Sequence, residues 1–144
     1  MRKNPARWLA AVATVLLGTA IARAADWPTW GRTMERNMVS PETGIIDDFV
    51  PGRFKGNTEE IDTATTRNVK WVAKLGSQTY GNVTVANGRV LIGTNNESPR
   101  DPKNVGDRGI LLCLDEKTGK FLWQLAVPKL GTGKVSDWEY LGLC

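Results

Sequence analysis

The chain has 144 residues, a formal net charge of +4 and no histidine. Its excess positive charge lies in residues 1–24, which hold four of the nineteen basic residues and none of the fifteen acidic ones. The remaining residues are formally neutral, so no basic surplus remains to suggest a nucleic-acid partner. The sequence also lacks a G-x-S-x-G motif, a phosphate-binding glycine loop and a CxxC pair, so no catalytic motif is identified.

The first 24 residues have the three parts of a secretory signal peptide. A basic start precedes an apolar run from Trp8 to Ile21, and Ala22-Arg23-Ala24 places small residues where signal peptidase requires them. The apolar run is too short for a membrane anchor, and a polar segment follows it. The sequence therefore predicts cleavage before Ala25, export to the periplasm or the medium, and no membrane span after cleavage.

Residues 25–68 are rich in polar residues, glycine and proline. They show a sustained period of neither two nor 3.6, which predicts an irregular N-terminal arm with short turns. Trp27 and Trp30 are the exception, and we expect both indoles to be buried against a domain. The acidic pairs Asp47-Asp48 and Glu59-Glu60 are interpreted as solvated surface rather than as catalytic carboxylates.

From Val69 onwards the pattern predicts five β-strands, without a long amphipathic helix. They are Val69–Leu75, Val83–Ala86, Val90–Thr94, Gly109–Leu114 and Lys120–Val127. Asn87-Gly88 joins the second strand to the third and favours a two-residue hairpin turn. The fourth strand is continuously apolar, as expected for a strand covered on both faces. Within it we expect Cys113 to be a small buried residue, with a bridge to Cys144 as the alternative.

Two of the predicted strands resemble each other. Trp71 and Trp123 lie in similar apolar segments, 52 residues apart. A period of about 40 to 50 residues with several strands in each unit is typical of β-propeller blades. A meander sandwich is the alternative architecture.

Between the fourth and fifth strands, residues 115–119 predict a tight turn. Asp115 can accept hydrogen bonds from backbone N–H groups two or three residues on, Thr118 can do so more weakly, and Gly119 can take the left-handed conformation of a bulged hairpin. Trp123 follows on the outgoing strand. Burying its indole, about 150 to 250 Å², contributes roughly 4 to 6 kcal/mol and requires a second sheet. The turn and Trp123 are therefore predicted to form a docking unit between sheets.

The stretch CLDEKTGKFLW, residues 113–123, resembles the tryptophan-docking repeat of PQQ-like (pyrroloquinoline-quinone-type) β-propellers, Ala-x-Asp-x-x-Thr-Gly-x-x-x-Trp. Four positions match and Cys113 replaces the alanine; the matching residues are Asp115, Thr118, Gly119 and Trp123. The resemblance covers about residues 25–144 and implies an all-β propeller of four-stranded antiparallel blades. Residues 69–144 would then hold one complete blade plus Val69–Leu75 as a flanking outer strand. Because a propeller has about four to eight blades, we expect the chain to be truncated after Cys144.

A meander alternates its connections between two ends, so loops 76–82, 95–108 and 128–139 are expected at one end. The longest of them, Asn95–Arg108, is the candidate binding loop because function concentrates in loops. Its candidate residues are Asn95, Asn96, Glu97, Arg100 and Asp101. A solvated insertion is the alternative. Its oxygen-bearing side chains could also bind Ca²⁺, although they follow no regular ligand spacing.

Two functions are therefore expected. The first is a non-catalytic binding or scaffold module that engages protein partners through the long-loop face, as the resemblance to outer-membrane assembly propellers implies. The alternative is a PQQ-dependent quinoprotein oxidoreductase of the alcohol or sugar dehydrogenase type. The family resemblance alone implies PQQ and Ca²⁺ for that alternative, and no catalytic or cofactor-binding residue of this chain can be matched to it.

Overall fold

The computed structural model describes residues 25–129, 134–136 and 139–140. The predicted signal peptide lies outside the described residues, and so does Cys144, the alternative disulfide partner of Cys113. The described part is all-β with antiparallel sheets, and its only helix is a three-residue 3₁₀ turn, Thr63–Thr65. The strands are β1 (Arg53–Phe54), β2 (Ile61–Asp62), β3 (Thr84–Ala86), β4 (Arg89–Asn95), β5 (Arg108–Asp115), β6 (Phe121–Pro128), β7 (Lys134–Ser136) and β8 (Glu139–Tyr140).

Strands β3 to β6 form a four-stranded antiparallel sheet in the order β3-β4-β5-β6. The last four predicted strands are therefore confirmed, with ends that differ by one residue or so. Ala86 lies opposite Arg89, so Asn87 and Gly88 form a two-residue turn. Both have positive φ angles, 52° and 75°. This is the type I′ geometry that an Asn-Gly pair favours between antiparallel strands.

The core lies on one face of the four-stranded sheet, where Ile92, Ile110 and Leu112 form a buried cluster. Leu75 and Ala126 pack against this cluster. On the opposite face, Cys113 is fully buried between its neighbours Leu91 and Trp123. The central strand β5 is thus covered on both faces and Cys113 is a small buried residue, as the continuous apolar pattern predicts.

The prediction of a strand at Val69–Leu75 is wrong in one respect. Its side chains alternate between half-buried and exposed, as in a strand. Within the described residues, however, it has no backbone ladder partner. The reason is its path: Trp71 contacts Gly119 at one end of the sheet, Leu75 packs on the core, and Gly76 contacts Asn95 at the other end. The segment crosses a face of the sheet, so its amide groups do not meet an edge strand.

The N-terminal arm is less irregular than its composition predicts. Strands β1 and β2 pair as a short antiparallel hairpin, which the period-two pattern missed because each strand has only two residues. Trp27 pairs with Val85 at the outer edge of β3, with N···O distances of 2.7 and 3.0 Å. Trp27 is half-buried, but Trp30 is 56 % exposed. The expectation that both indoles are buried is therefore wrong for Trp30, which lies in a turn closed by the N–H of Arg32 and the carbonyl oxygen of Thr29.

Strands β7 and β8 form a two-stranded antiparallel ladder after β6. The predicted loop 128–139 therefore contains a strand, Lys134–Ser136. Among the residues that the structure describes, no helix is long and apolar enough to cross a membrane.

Candidate functional site

The β5–β6 turn is held by the hydrogen bonds that its sequence predicts. Oδ1 of Asp115 accepts from the N–H of Thr118 at 2.8 Å and from its hydroxyl at 2.7 Å. Oγ1 of Thr118 in turn accepts from the N–H of Lys120 at 3.3 Å. Gly119 has a φ of 68°, and the register shifts by one residue at Leu114, which is the predicted bulge. The hydrogen bond from the Thr118 hydroxyl is the main reason that the pKa of Asp115 is lowered.

The turn receives the indole of Trp71, a contact that the sequence did not predict. Nε1 of Trp71 donates to the carbonyl oxygen of Glu116 at 2.9 Å. The ring lies against Gly119, where an added Cβ would approach Cδ2 of Trp71 to 2.5 Å. The available signal was the similarity of the Trp71 and Trp123 segments. That similarity indicates equivalent roles, but it does not say which turn each indole contacts.

Trp123 has a different environment. It lies on the edge strand β6, opposite Cys113, and its residue surface is 44 % exposed. Leu125 is exposed to a similar degree on the same face. The outer part of this face is therefore apolar and accessible in the described structure.

The two turns at this end of the sheet are joined to each other and to the N-terminal arm. The N–H of Glu116 donates to the carbonyl oxygen of Gly88 at 3.0 Å. The N–H of Asn87 donates to Oδ2 of Asp26 at 3.2 Å. These contacts hold the turns and the arm together, so this end of the sheet has a structural role.

The opposite end carries the candidate loop, and the loop uses much of its polar chemistry internally. Asn95 is buried and its side-chain amide donates to Oγ of Ser77 at 3.0 Å. Asn96 is 8 % exposed and donates from Nδ2 to the carbonyl oxygens of Asn104 and Gly106, at 2.7 and 3.0 Å. These two candidate residues therefore fix the loop to the sheet and to itself.

Two other candidate residues also make contacts within the chain. Arg100 donates to the carbonyl oxygen of Lys74. The carboxylate of Asp101 accepts from the N–H of Lys103 at 2.9 Å and from Nδ2 of Asn104 at 3.1 Å. Glu97 differs, because its carboxylate is exposed and makes no ion pair or hydrogen bond within residues 25–129.

Glu97 lines a groove of about 420 Å³ beside the loop. Three segments meet there: the β1–β2 hairpin, the end of the crossing segment, and the start of the candidate loop. We call it the loop-end groove, and its principal lining residues are Phe54, Glu59, Lys74, Ser77, Glu97 and Ser98. Sequence patterns do not identify the first four as site residues, because these residues come from segments distant in the chain that only the fold brings to Glu97.

The described residues do not fit a Ca²⁺ site. No group of three or more His, Cys, Asp or Glu side chains within the described ranges lies close enough to hold a metal ion. The carboxylate of Asp101 in the candidate loop already accepts hydrogen bonds from Lys103 and Asn104. Ca²⁺ requires six to eight oxygen ligands, so we derive no reaction step through Ca²⁺ or PQQ.

Comparisons of the chain with family models, with curated proteins and with solved structures give no match. What this chain does is therefore inferred from its own contacts.

Proposed function

We propose that the chain is part of an exported β-propeller of the PQQ-like repeat type that acts as a binding or scaffold module through its loop end. The observation that carries this proposal is the seating of Trp71 on the Asp115–Gly119 turn. Trp71 lies 48 residues before Gly119, about one repeat period, so this contact supports a joint between successive repeats.

Trp123 is available for a contact of the same kind. It stands 52 residues after Trp71 and is 44 % exposed, so its indole is available to a further turn of the same kind. Repeats that each supply a turn to one neighbour and an indole to the other build an array whose units bury their faces together. A closed ring of such units is the propeller.

The binding role is assigned to the loop end for two reasons. The turns at the other end are held by hydrogen bonds that join Glu116 to Gly88 and Asn87 to Asp26. The loop end has a groove and a long loop that is hydrogen-bonded to the sheet and to itself, and loops positioned by a rigid scaffold often carry recognition.

Export and partner binding can be tested together. A tagged full-length protein is expressed in its own cells, located by cell fractionation, and its partners are captured after cross-linking. In a matched variant, Asn-Gly replaces residues 97–106, which keeps the pairing of Asn95 with Gly109. A second variant, Glu116→Gln with Lys117→Gln, changes the opposite end. Loss of one defined partner only in the loop variant supports the proposal.

Partners unchanged by the loop variant, with both variants folded, contradict a loop-end binding role, and protein that stays in the cytoplasm contradicts export. The oxidoreductase alternative has its own measurement. The full-length protein is incubated with PQQ and Ca²⁺ and assayed with alcohols or sugars and an artificial electron acceptor. Quinone absorbance with turnover would replace the binding role with the enzymatic one.

A further inference from the structure

We infer that the loop-end groove binds one organic cation, a primary amine or a guanidinium group, between the Glu97 carboxylate and the ring of Phe54. This inference rests on the proposed binding role and specifies its chemistry. The groove volume of about 420 Å³ lies in the range of small-ligand sites.

The walls of the groove are held in place before any ligand arrives. The N–H of Gly76 donates to Oγ1 of Thr94 at 2.9 Å, which fixes the wall that carries Ser77. The β1–β2 pairing fixes Phe54 opposite Ile61. The N–H of Glu97 donates to Oδ1 of Asn95 at 3.4 Å, which orients the start of the loop. A site with preformed walls loses less conformational entropy on binding than a flexible one.

The charge of the lining selects a cation. Glu59 and Glu97 contribute two carboxylates, and Lys74 contributes one ammonium group. Lys74 is paired with Glu59 at 3.0 Å. Arg100 of the loop donates to the backbone carbonyl oxygen of Lys74 and makes no ion pair with Glu97. The lining residues therefore carry a net charge of −1, and Glu97 is the lining carboxylate that makes no ion pair within residues 25–129.

The other lining groups suit an organic cation better than a metal ion. The ring of Phe54 is 63 % exposed, and an aromatic face attracts an ammonium or guanidinium group by cation–π interaction. The hydroxyl oxygens of Ser77 and Ser98 can accept hydrogen bonds from N–H donors. A metal ion would need several more oxygen ligands than one carboxylate supplies.

The organic cation can come from two sources, a free amine or a basic side chain of a protein partner. The probes distinguish them: agmatine represents the free cation, and the peptide Gly-Gly-Arg-Gly-Gly, acetylated and amidated, represents the side chain. The same peptide with citrulline in place of arginine keeps the shape and removes the charge. Binding to the full-length chain is measured by calorimetry at low ionic strength.

We expect agmatine to bind, the arginine peptide to bind if the source is a partner protein, and the citrulline peptide not to bind. Glu97→Gln and Phe54→Ala should each weaken binding, the former roughly fivefold, the effect of one opposite charge about 4 Å away in water. Matched controls outside the groove, Glu60→Gln and Phe49→Ala, should not change it. Lys74→Gln releases Glu59 and should strengthen binding, a gain that damage to the fold would not produce.

A citrulline peptide that binds as tightly as a bound arginine peptide, or an unchanged affinity of Glu97→Gln for agmatine, overturns the inference, as does the absence of agmatine binding. The outcome is separable from that of the proposed function. A partner lost in the loop variant, without any cation binding, rejects this inference alone. Cation binding without any loop-dependent partner rejects the binding-module proposal and leaves a small-molecule site.

Discussion

The indole of Trp71 lies directly on Gly119, close enough that a Cβ at Gly119 would stand 2.5 Å from Cδ2 of the ring. The glycine serves two purposes there, because its φ of 68° is also one that L side chains rarely adopt. The contact fastens the crossing segment to the β5–β6 turn and covers one face of the sheet.

Replacement of Gly119 should separate these two purposes. We expect Gly119→Ala to lower the free energy of unfolding by about 2 kcal/mol or more, through backbone strain plus displacement of Trp71. Gly88→Ala is the matched control, because Gly88 has a φ of 75° and open space around its Cα. It should cost about 1 kcal/mol, from strain alone. Urea unfolding monitored by tryptophan fluorescence measures both, and equal losses would contradict the Trp71 contact.

The hydrogen bond of Trp71 can be removed while the ring packing is largely kept. Trp71→Phe should destabilise the protein by about 1 kcal/mol more than Trp30→Phe, because Trp71 donates to the carbonyl oxygen of Glu116 at 2.9 Å. Trp30 is a fair reference, since its residue surface is 56 % exposed. Thermal unfolding by circular dichroism gives the comparison. Two equally stable variants would mean that the Nε1 hydrogen bond contributes nothing.

Trp123 provides a direct test of the propeller proposal. If a second sheet covers its indole in the folded protein, Trp123→Ala should cost roughly 3 to 5 kcal/mol, as large aromatic truncations in cores do. If Trp123 stays 44 % exposed, only about half of its surface is buried and the cost should be about half as large, roughly 2 kcal/mol. Unfolding of the protein purified from its natural source, beside the variant, decides between the two. Acrylamide quenching of tryptophan fluorescence, compared between the protein and its Trp123→Phe variant, is an independent measure of the exposure of Trp123.

The turn should also make stability depend on acid. The Thr118 hydroxyl and the backbone N–H bonds hold the pKa of Asp115 below its usual value in the folded state. A carboxyl group with a depressed folded pKa stabilises the fold above its unfolded pKa, and that stability is lost as pH falls through the folded pKa. We therefore expect the midpoint of thermal unfolding to decrease when the pH is lowered below about 4. In Thr118→Val this acid-dependent loss should shrink, and an unchanged pH profile in that variant would exclude Asp115 as its source.

Asn96 should govern the order of the candidate loop. Asn96→Ala removes two hydrogen bonds to the carbonyl oxygens of Asn104 and Gly106, which should cost about 1 to 3 kcal/mol and expose the loop to proteases. Limited proteolysis followed by mass spectrometry locates the cuts. Glu97→Gln is the control, because Glu97 is exposed and its substitution should leave the cutting pattern as it is.

Local chemistry explains which elements could be predicted. Asn87-Gly88, the continuous apolar run of β5 and the Asp-x-x-Thr-Gly turn each contain their own signal, since positive φ, burial and side-chain capping depend on residues within a few positions. The hairpin β1–β2 lacks such a signal because two residues do not establish a period. The Val69–Leu75 segment has the alternating burial of a strand. This alternation shows which side chains are covered, but it does not identify an edge strand with which the backbone can pair.

The candidate site was likewise predictable only in part from the sequence. The sequence indicated the loop that contains Glu97, because a long polar connection between two strands is visible in the order of residues. It did not separate Glu97 from Asn95 and Asn96, whose side chains the fold turns inward for hydrogen bonds.

By itself, the sequence determined the all-β fold of the described residues, the four strands of the antiparallel sheet, and the β3–β4 and β5–β6 turns, because those features follow from neighbouring residues. Only the tertiary structure decided that Trp71 docks on Gly119 and that Phe54 and Lys74 share a groove with Glu97. These contacts join residues 20 or more positions apart. Their formation depends on the path of the chain across the sheet, which no local pattern specifies.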